Sequence, residues 1–391
     1  MQVQARPYQF LFLLLFLFGF SFCSDDGVSS NNGDNEEPEI DWNAAADSST
    51  NALLDNYWNP GEQYFNYGNR GNEEFHYWPQ AHSLDVLIDA YKRTGESKYE
   101  QYIHNWYDGV YQKNGESFTN DFYDDMEWNA LAMLRAYQTL GDEKFKNSVD
   151  VVWEEIKTGW TDVAGGGIMW AKHTPNSKNA ISNAPASVLS SRLYQMTDNQ
   201  DYLEWSKKIY SWQRNNLLNL SNGAVWDHVV IEDGERNIQK NWIFTYNQGM
   251  FLAAALELYE ITGESMYLND AIKSADYALN NLTDANARLL ADEGEGDGGL
   301  FKGIFVRYFT QLILEEDLPD GTRNRYEHFL EHNAETLWRE GTNKNYVLYD
   351  TFWNEKPGNN EEIDLTVQLS GSMLIEAAAL LDNEGMLDTQ E

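Results

Sequence analysis

From about residue 41 onward, apolar positions recur with a helical period of three to four, and long stretches of strict alternation are missing. The pattern predicts helices near 42–57, 79–94, 97–113, 125–140, 143–157, 183–196, 200–218, 247–262, 265–281, 302–315, 324–340 and 364–382. A repeat punctuates this pattern. Tyr91, Tyr137, Tyr194 and Tyr259 are each followed by a short turn and, eight residues on, by Tyr99, Phe145, Tyr202 and Tyr267. Within the turns stand Gly95-Glu96, Gly141-Asp142, Asp198-Asn199 and Gly263-Glu264. Gly, or Asp in the third copy, supplies the left-handed residue that ends one helix. Acids just after it suit the positive start of the next. Each copy therefore reads as the corner of a helical hairpin, with its two aromatics placed to pack across the turn.

The copies begin 46, 57 and 65 residues apart, which leaves room for two helices and a long loop per unit. Six such hairpins can close into an all-α ring, an (α/α)6 barrel, as one domain; an open solenoid is the alternative. With the corners at one end, the long loops collect at the other and build one binding face.

Before residue 41 the pattern changes twice. Residues 1–22 carry Arg6 and the apolar run 10–22, the length of a signal-peptide core and too short to span a bilayer. Residues 23–40 are mostly Ser, Asn, Gly, Asp and Glu and read as a flexible acidic tether. Cys23, the single cysteine, excludes an intramolecular disulfide. Its place after the apolar run resembles the lipidation site of a bacterial lipoprotein, although Phe22 is large for that motif. The following Ser24-Asp25-Asp26 resembles the surface-export tag of Bacteroidetes lipoproteins. The resemblance implies an exported protein held at the outer-membrane surface by a lipid on Cys23, or otherwise a periplasmic or secreted one. No later segment reads as long and apolar enough to cross a membrane. Residues 41–391 form the expected catalytic domain, with a monomer as the default state.

The composition narrows the chemistry. A net charge of −36 repels nucleic acid and anionic membranes and disfavours polyanionic substrates. Fourteen Trp and 23 Tyr, beyond filling the core, suit stacking on sugar rings. His328 and His332 share a helix face in an inverse zinc-protease spacing, but no third ligand is evident. Asp292–Gly298 has a calcium-loop flavour without EF-hand spacing and reads as a flexible loop at the cleft edge. No metal or cofactor is expected.

Asp124 and Asp125 are the informative pair. They stand at the start of a predicted helix, at the end opposite the Tyr137 corner, which puts them at the loop-rich cleft. Hydrolysis of a glycosidic bond takes two carboxyl groups, about 5–5.5 Å apart for retention and about 6.5–9.5 Å for inversion. Neighbouring residues, with Cα atoms about 3.8 Å apart, reach the shorter range, so the spacing favours retention. By itself an Asp-Asp pair is also a common solvated helix start.

The run Tyr123-Asp124-Asp125-Met126-Glu127-Trp128 resembles the catalytic motif of glycoside hydrolase family 76, the endo-α-1,6-mannanases. Further similar stretches follow: Tyr77–Ala81, Gly166–Trp170, Lys178–Asn183, Val225–His228, Thr245–Gly249 and Phe301–Phe305. The likeness covers roughly residues 45–382. It implies an (α/α)6 barrel that hydrolyses α-1,6-mannan with retention, needs no cofactor, and uses Asp124 as nucleophile and Asp125 as acid/base. In that context Trp78, Trp170, Trp226 and Tyr246 are candidates to stack on sugar rings. Gln80, Asn179, Asn183, Asn247 and Gln248 are candidates to hydrogen-bond neutral hydroxyls. Asp227 is expected either to bind hydroxyls or to raise the pKa of Asp125. Core packing and helix capping are the structural alternatives for each. A transglycosylase of the same fold and a non-catalytic glycan-binding lipoprotein are the rival functions.

Overall fold

A computed structural model describes residues 38–387; the leader, Cys23 and most of the tether lie outside them. Twelve α-helices occur among the described residues: α1 (Trp42–Tyr57), α2 (Tyr77–Thr94), α3 (Ser97–Lys113), α4 (Tyr123–Leu140), α5 (Glu143–Thr158), α6 (Ala184–Thr197), α7 (Gln200–Leu217), α8 (Thr245–Thr262), α9 (Ser265–Asn281), α10 (Gly298–Leu314), α11 (Asp320–Thr336) and α12 (Leu365–Asn383). The even-numbered helices form an inner ring in which each packs on the next and α12 returns to α2. The ring is closed, so the barrel and not the solenoid is correct. Five hairpins follow chain order, α2–α3 to α10–α11. The sixth joins the two ends of the domain, α12 against α1.

The division into layers follows from residue pattern. The outer α5 buries Phe145, Val149, Val152, Trp153 and Ile156, one narrow stripe. The inner α8 and α12 bury residues on every side. Contrary to expectation, α12 is long and apolar enough to cross a membrane, with a mean hydropathy of 1.2. Its near-complete burial explains that composition, because a helix enclosed by neighbours must be apolar all round.

The corners form as the repeat predicts. Gly95, Gly141, Gly263 and Asp198 adopt φ of 67°, 72°, 67° and 56°. Each donates its N–H to the carbonyl of the repeat's first tyrosine. The fifth corner has no such residue. There Arg323 donates to the carbonyls of Ile313, Glu315 and Leu318 and satisfies the end of α10 in glycine's place.

At the opposite face all six inner helices begin, so their free N–H groups and positive dipole ends converge on one cleft. The loops there carry short strands that helical periodicity does not reveal. β1 (Trp58–Asn59) pairs with β2 (Tyr64–Phe65). β3 (Ser177–Asn179), β4 (His228–Glu232) and β5 (Glu235–Ile238) form an antiparallel sheet linking two loops.

Charged groups hold the floor of the barrel, around a cavity of about 640 Å³. Arg135 of α4 binds Asp85 and Asp89 of α2. Arg307 of α10 meets the same two acids, at 2.7 Å to Asp89. Arg93 of α2 joins Glu376 of α12 and Asp47 of α1. Arg192 of α6 joins Glu257 of α8. Truncating Arg135 leaves Asp85 and Asp89 to share Arg307 alone, so Arg135→Ala is expected to lower unfolding free energy by about 1.5–3 kcal/mol. Denaturant titration measures this; a loss below about 1 kcal/mol would contradict it.

Candidate active site

Asp124 and Asp125 occupy the first turn of α4. The residue before the helix, Phe122, offers no side-chain cap; the Tyr123 amide donates to the Trp170 carbonyl at 2.9 Å, and those of Asp124 and Asp125 serve the Asp124 carboxyl group. Asp124 Oδ2 accepts a hydrogen bond from Trp170 Nε1 at 3.3 Å. Its Oδ1 is buried and accepts none of good geometry. Burial raises the pKa of Asp124, and the Trp170 N–H and the amides of Asp124 and Asp125 act against that rise by favouring the carboxylate. Asp125 has no such donors. Burial raises it well above the usual range, and the charge of Asp124 and then that of Asp297 raise it further. Neighbours of identical chemistry thus have different surroundings: both are raised, but the donors hold Asp124 to about 7, which leaves it the more readily ionised of the two and Asp125 the acid.

Trp170 reaches Asp124 because the chain before it turns sharply. Gly166 and Gly167 have φ of 125° and 85°, and a Cβ on Gly167 would stand 2.7 Å from the Trp212 ring. Asn183 then fixes the loop. Its Oδ1 accepts from Ile168 N at 2.8 Å and its Nδ2 donates to the carbonyls of Ile168 and Asn179.

Across the cleft, Trp78 donates from Nε1 to Asp297 Oδ1 at 2.9 Å. Tyr246 stacks on Phe301 with ring centres 3.8 Å apart. Burial and the nearby charges of Asp227 and Asp124 keep the Tyr246 phenol protonated. Asp227 is buried; its Oδ1 accepts from Asn247 Nδ2 at 3.0 Å and its Oδ2 contacts His228 Nδ1 at 2.8 Å. Asn179 is half-buried, with Oδ1 accepting from Ser177. Trp226 is half-buried with the Lys240 ammonium 4.6 Å from its ring centre.

Three predicted binding residues have other partners. Gln80 is fully buried and pairs with both backbone groups of Phe65, clamping β2. Asn183 is the loop clamp described above. Gln248 is fully buried against Ser274 and, in the amide orientation its neighbours require, against Gly223 and Val225. Carboxamides suit backbone pairs as well as they suit hydroxyls, which is why residue type alone misplaced them.

Sequence reasoning passed over Asp297. It lies in the segment read as a flexible loop at the cleft edge, which here forms part of the cleft wall. Glu293 binds Thr245 at the start of α8, Gly296 donates to Asp364 before α12, and Asp297 precedes α10. The signal available was its position, an acid at the start of an inner helix. Asp297, and not Asp227, is the third carboxylate whose charge acts on the Asp124–Asp125 pair. His328 and His332 each contact a backbone carbonyl, of Asn324 and Ala287. Among the described residues no cluster of three His, Cys, Asp or Glu side chains is placed to hold a metal.

A closed ring of helix pairs, with two unlike carboxyl groups at the mouth and aromatic rings around them, defines the frame of a glycosidase. The chain belongs to glycosyl hydrolase family 76, whose sequence profile matches residues 41–390. It is 47% identical to the α-1,6-mannanase of Salegentibacter sp. HEL1_6, over 87% of this chain and all of that one, with a TM-score of 0.84. An inactive variant of that mannanase, with two adjacent aspartates replaced, binds α-1,6-mannotetraose. A mannan endo-1,6-α-mannosidase of Saccharomyces cerevisiae is 25% identical over 72% of this chain, and the match spans 66% of the yeast protein's length. For that of Candida glabrata the match spans 52%.

Asn183→Ala would strip the buried amide of Ile168 of its partner, at about 1–3 kcal/mol, and leave its carbonyl to Ser182 Oγ alone. The variant is expected to melt at lower temperature than the parent. An unchanged melting curve would show that Asn183 does not clamp the loop.

Proposed function

We propose that this protein is a retaining, endo-acting α-1,6-mannanase. The observation that carries the reading is the unlike setting of the two adjacent acids. Asp124, served by donors, attacks the anomeric carbon of a bound mannose; the glycosidic C–O bond breaks as the glycosyl-enzyme forms. Asp125, held as an acid by burial and by its neighbours' charge, gives its proton to the leaving oxygen. It then takes a proton from the water that releases the sugar from Asp124, which restores both groups. Trp78, Trp170 and the Tyr246–Phe301 stack provide apolar ring faces beside the pair. A cleft lined by Asp124, Asp125, Asp227 and Asp297 suits a neutral sugar and repels an acidic one. The tetrasaccharide complex of the Salegentibacter mannanase supports the substrate class, and its paired aspartate replacements support the site.

We further infer from the leader and Cys23 that the enzyme is exported, anchored by lipid at the outer-membrane surface, and works there as a monomer on mannan chains.

Incubation with linear α-1,6-mannan tests the function. Short oligosaccharides are expected from the parent, with loss of about 10²–10⁴-fold in Asp125→Asn and a similar or greater loss in Asp124→Ala. No short products from the parent would favour a binding protein. Full activity in Asp124→Ala would remove the nucleophile assignment.

A further inference from the structure

Glu127 follows Asp124 by three positions on α4, so the two lie on one side of the helix, with Cβ atoms about 5–6 Å apart. Helical side chains lean toward the N-terminus, which carries the carboxyl group of Glu127 back toward the first turn. Glu127 is fully buried and neither of its carboxyl oxygens has a protein partner. Asp124 Oδ1, one turn away, is buried and without a partner as well. An ionised Glu127 facing an ionised Asp124 would be unfavourable, since both would be acceptors and no protein donor reaches Glu127 or Asp124 Oδ1. A neutral carboxylic acid beside a carboxylate resolves the conflict, because its O–H is a donor. Burial, and then the charge of Asp124, both push Glu127 in that direction.

We propose that Glu127 is a positioning residue whose neutral O–H donates to Asp124 Oδ1, directly or across one water. This completes a set of donors begun by Trp170 Nε1 on Oδ2 and the first-turn amides. The set orients the attacking carboxylate and keeps it ionised while Asp125 beside it stays protonated. The inference rests on the reading of Asp124 as nucleophile.

The groups that face Asp124 are Asp125 on α4, Asp297 before α10, Tyr246 at the start of α8 and the Trp170 N–H. None changes when Glu127 is replaced. Glu127→Gln keeps shape and a donor; Glu127→Met keeps bulk and removes the donor. Removing a donor from a carboxylate raises its pKa. With linear α-1,6-mannotetraose as substrate, the acid limb of the kcat/KM–pH profile is expected to move up by about one pH unit in Glu127→Met. That is about a tenfold loss of kcat/KM on that limb. Glu127→Gln is expected to stay close to the parent.

A residue that only filled space would give the reverse ranking, because methionine suits an apolar site better than an amide. An unmoved acid limb in Glu127→Met, or equal shifts in both variants, would overturn the proposal. Infrared difference spectra of parent and Glu127→Gln at neutral pH test it without activity. The parent is expected to show an additional carbonyl band of a protonated carboxylic acid, and identical spectra in that region would refute it. A parent inactive on the tetrasaccharide but showing the band would sink the functional reading while leaving the neutral acid in place.

Discussion

Arg135 and Arg307 reach from α4 and α10 to the same two acids of α2, Asp85 and Asp89, and this contact fixes three inner helices at once. The same side of α2 continues upward. His82 lies within 3.9 Å of Asp85 and packs between Trp78 and Trp128, with ring centres 5.6 and 4.9 Å away. Burial, opposed by the charge of Asp85 and helped slightly by Arg307, lowers the His82 pKa to about 3, so the ring stays neutral. Trp78 then binds Asp297 at the cleft. One helix face thus runs from the ion pairs on the floor to the third carboxylate at the mouth. Removing a charge from the floor would loosen the ring that holds the mouth in register.

The direction of the inner helices does the rest. Every helix of the ring begins at the cleft, so the positive dipole ends face it and the long loops lie over it. Acids are tolerated at such ends. Two adjacent acids in a half-buried place, however, cannot both ionise easily. The loop carrying Trp170 breaks the symmetry by giving a donor to Asp124 alone. The Gly166–Gly167 turn and the Asn183 clamp place that one indole N–H.

Much of the fold could be read from the chain because its signals are local. A left-handed residue at each corner and a stripe on each outer helix belong to short windows of sequence. The starts of α2, α4, α8 and α10 lie earlier than the pattern suggested, at Tyr77, Tyr123, Thr245 and Gly298. The residues before them, His76, Phe122, Phe244 and Asp297, make no side-chain cap. Partners distant in sequence stand in at two of these starts, Glu293 for Thr245 and the Trp170 carbonyl for Tyr123. The hairpin of α12 with α1 has no corner to leave a sequence mark. At the site, Asp124 and Asp125 stood out by type and position, whereas Gln80, Asn183 and Gln248 did not show which partner they take. Asp297 and Glu127 escaped notice because their roles depend on neighbours distant in sequence or one helical turn away.

Adjacency and unlike surroundings are what would make these two aspartates a retaining pair. Proton NMR of the first moments of α-1,6-mannan hydrolysis, before the anomers equilibrate, tests it most directly. The account predicts α-mannose reducing ends as the first product, with β appearing only later through mutarotation. An initial β product would mean that water attacks directly from the opposite face, and would contradict the role given to Asp124.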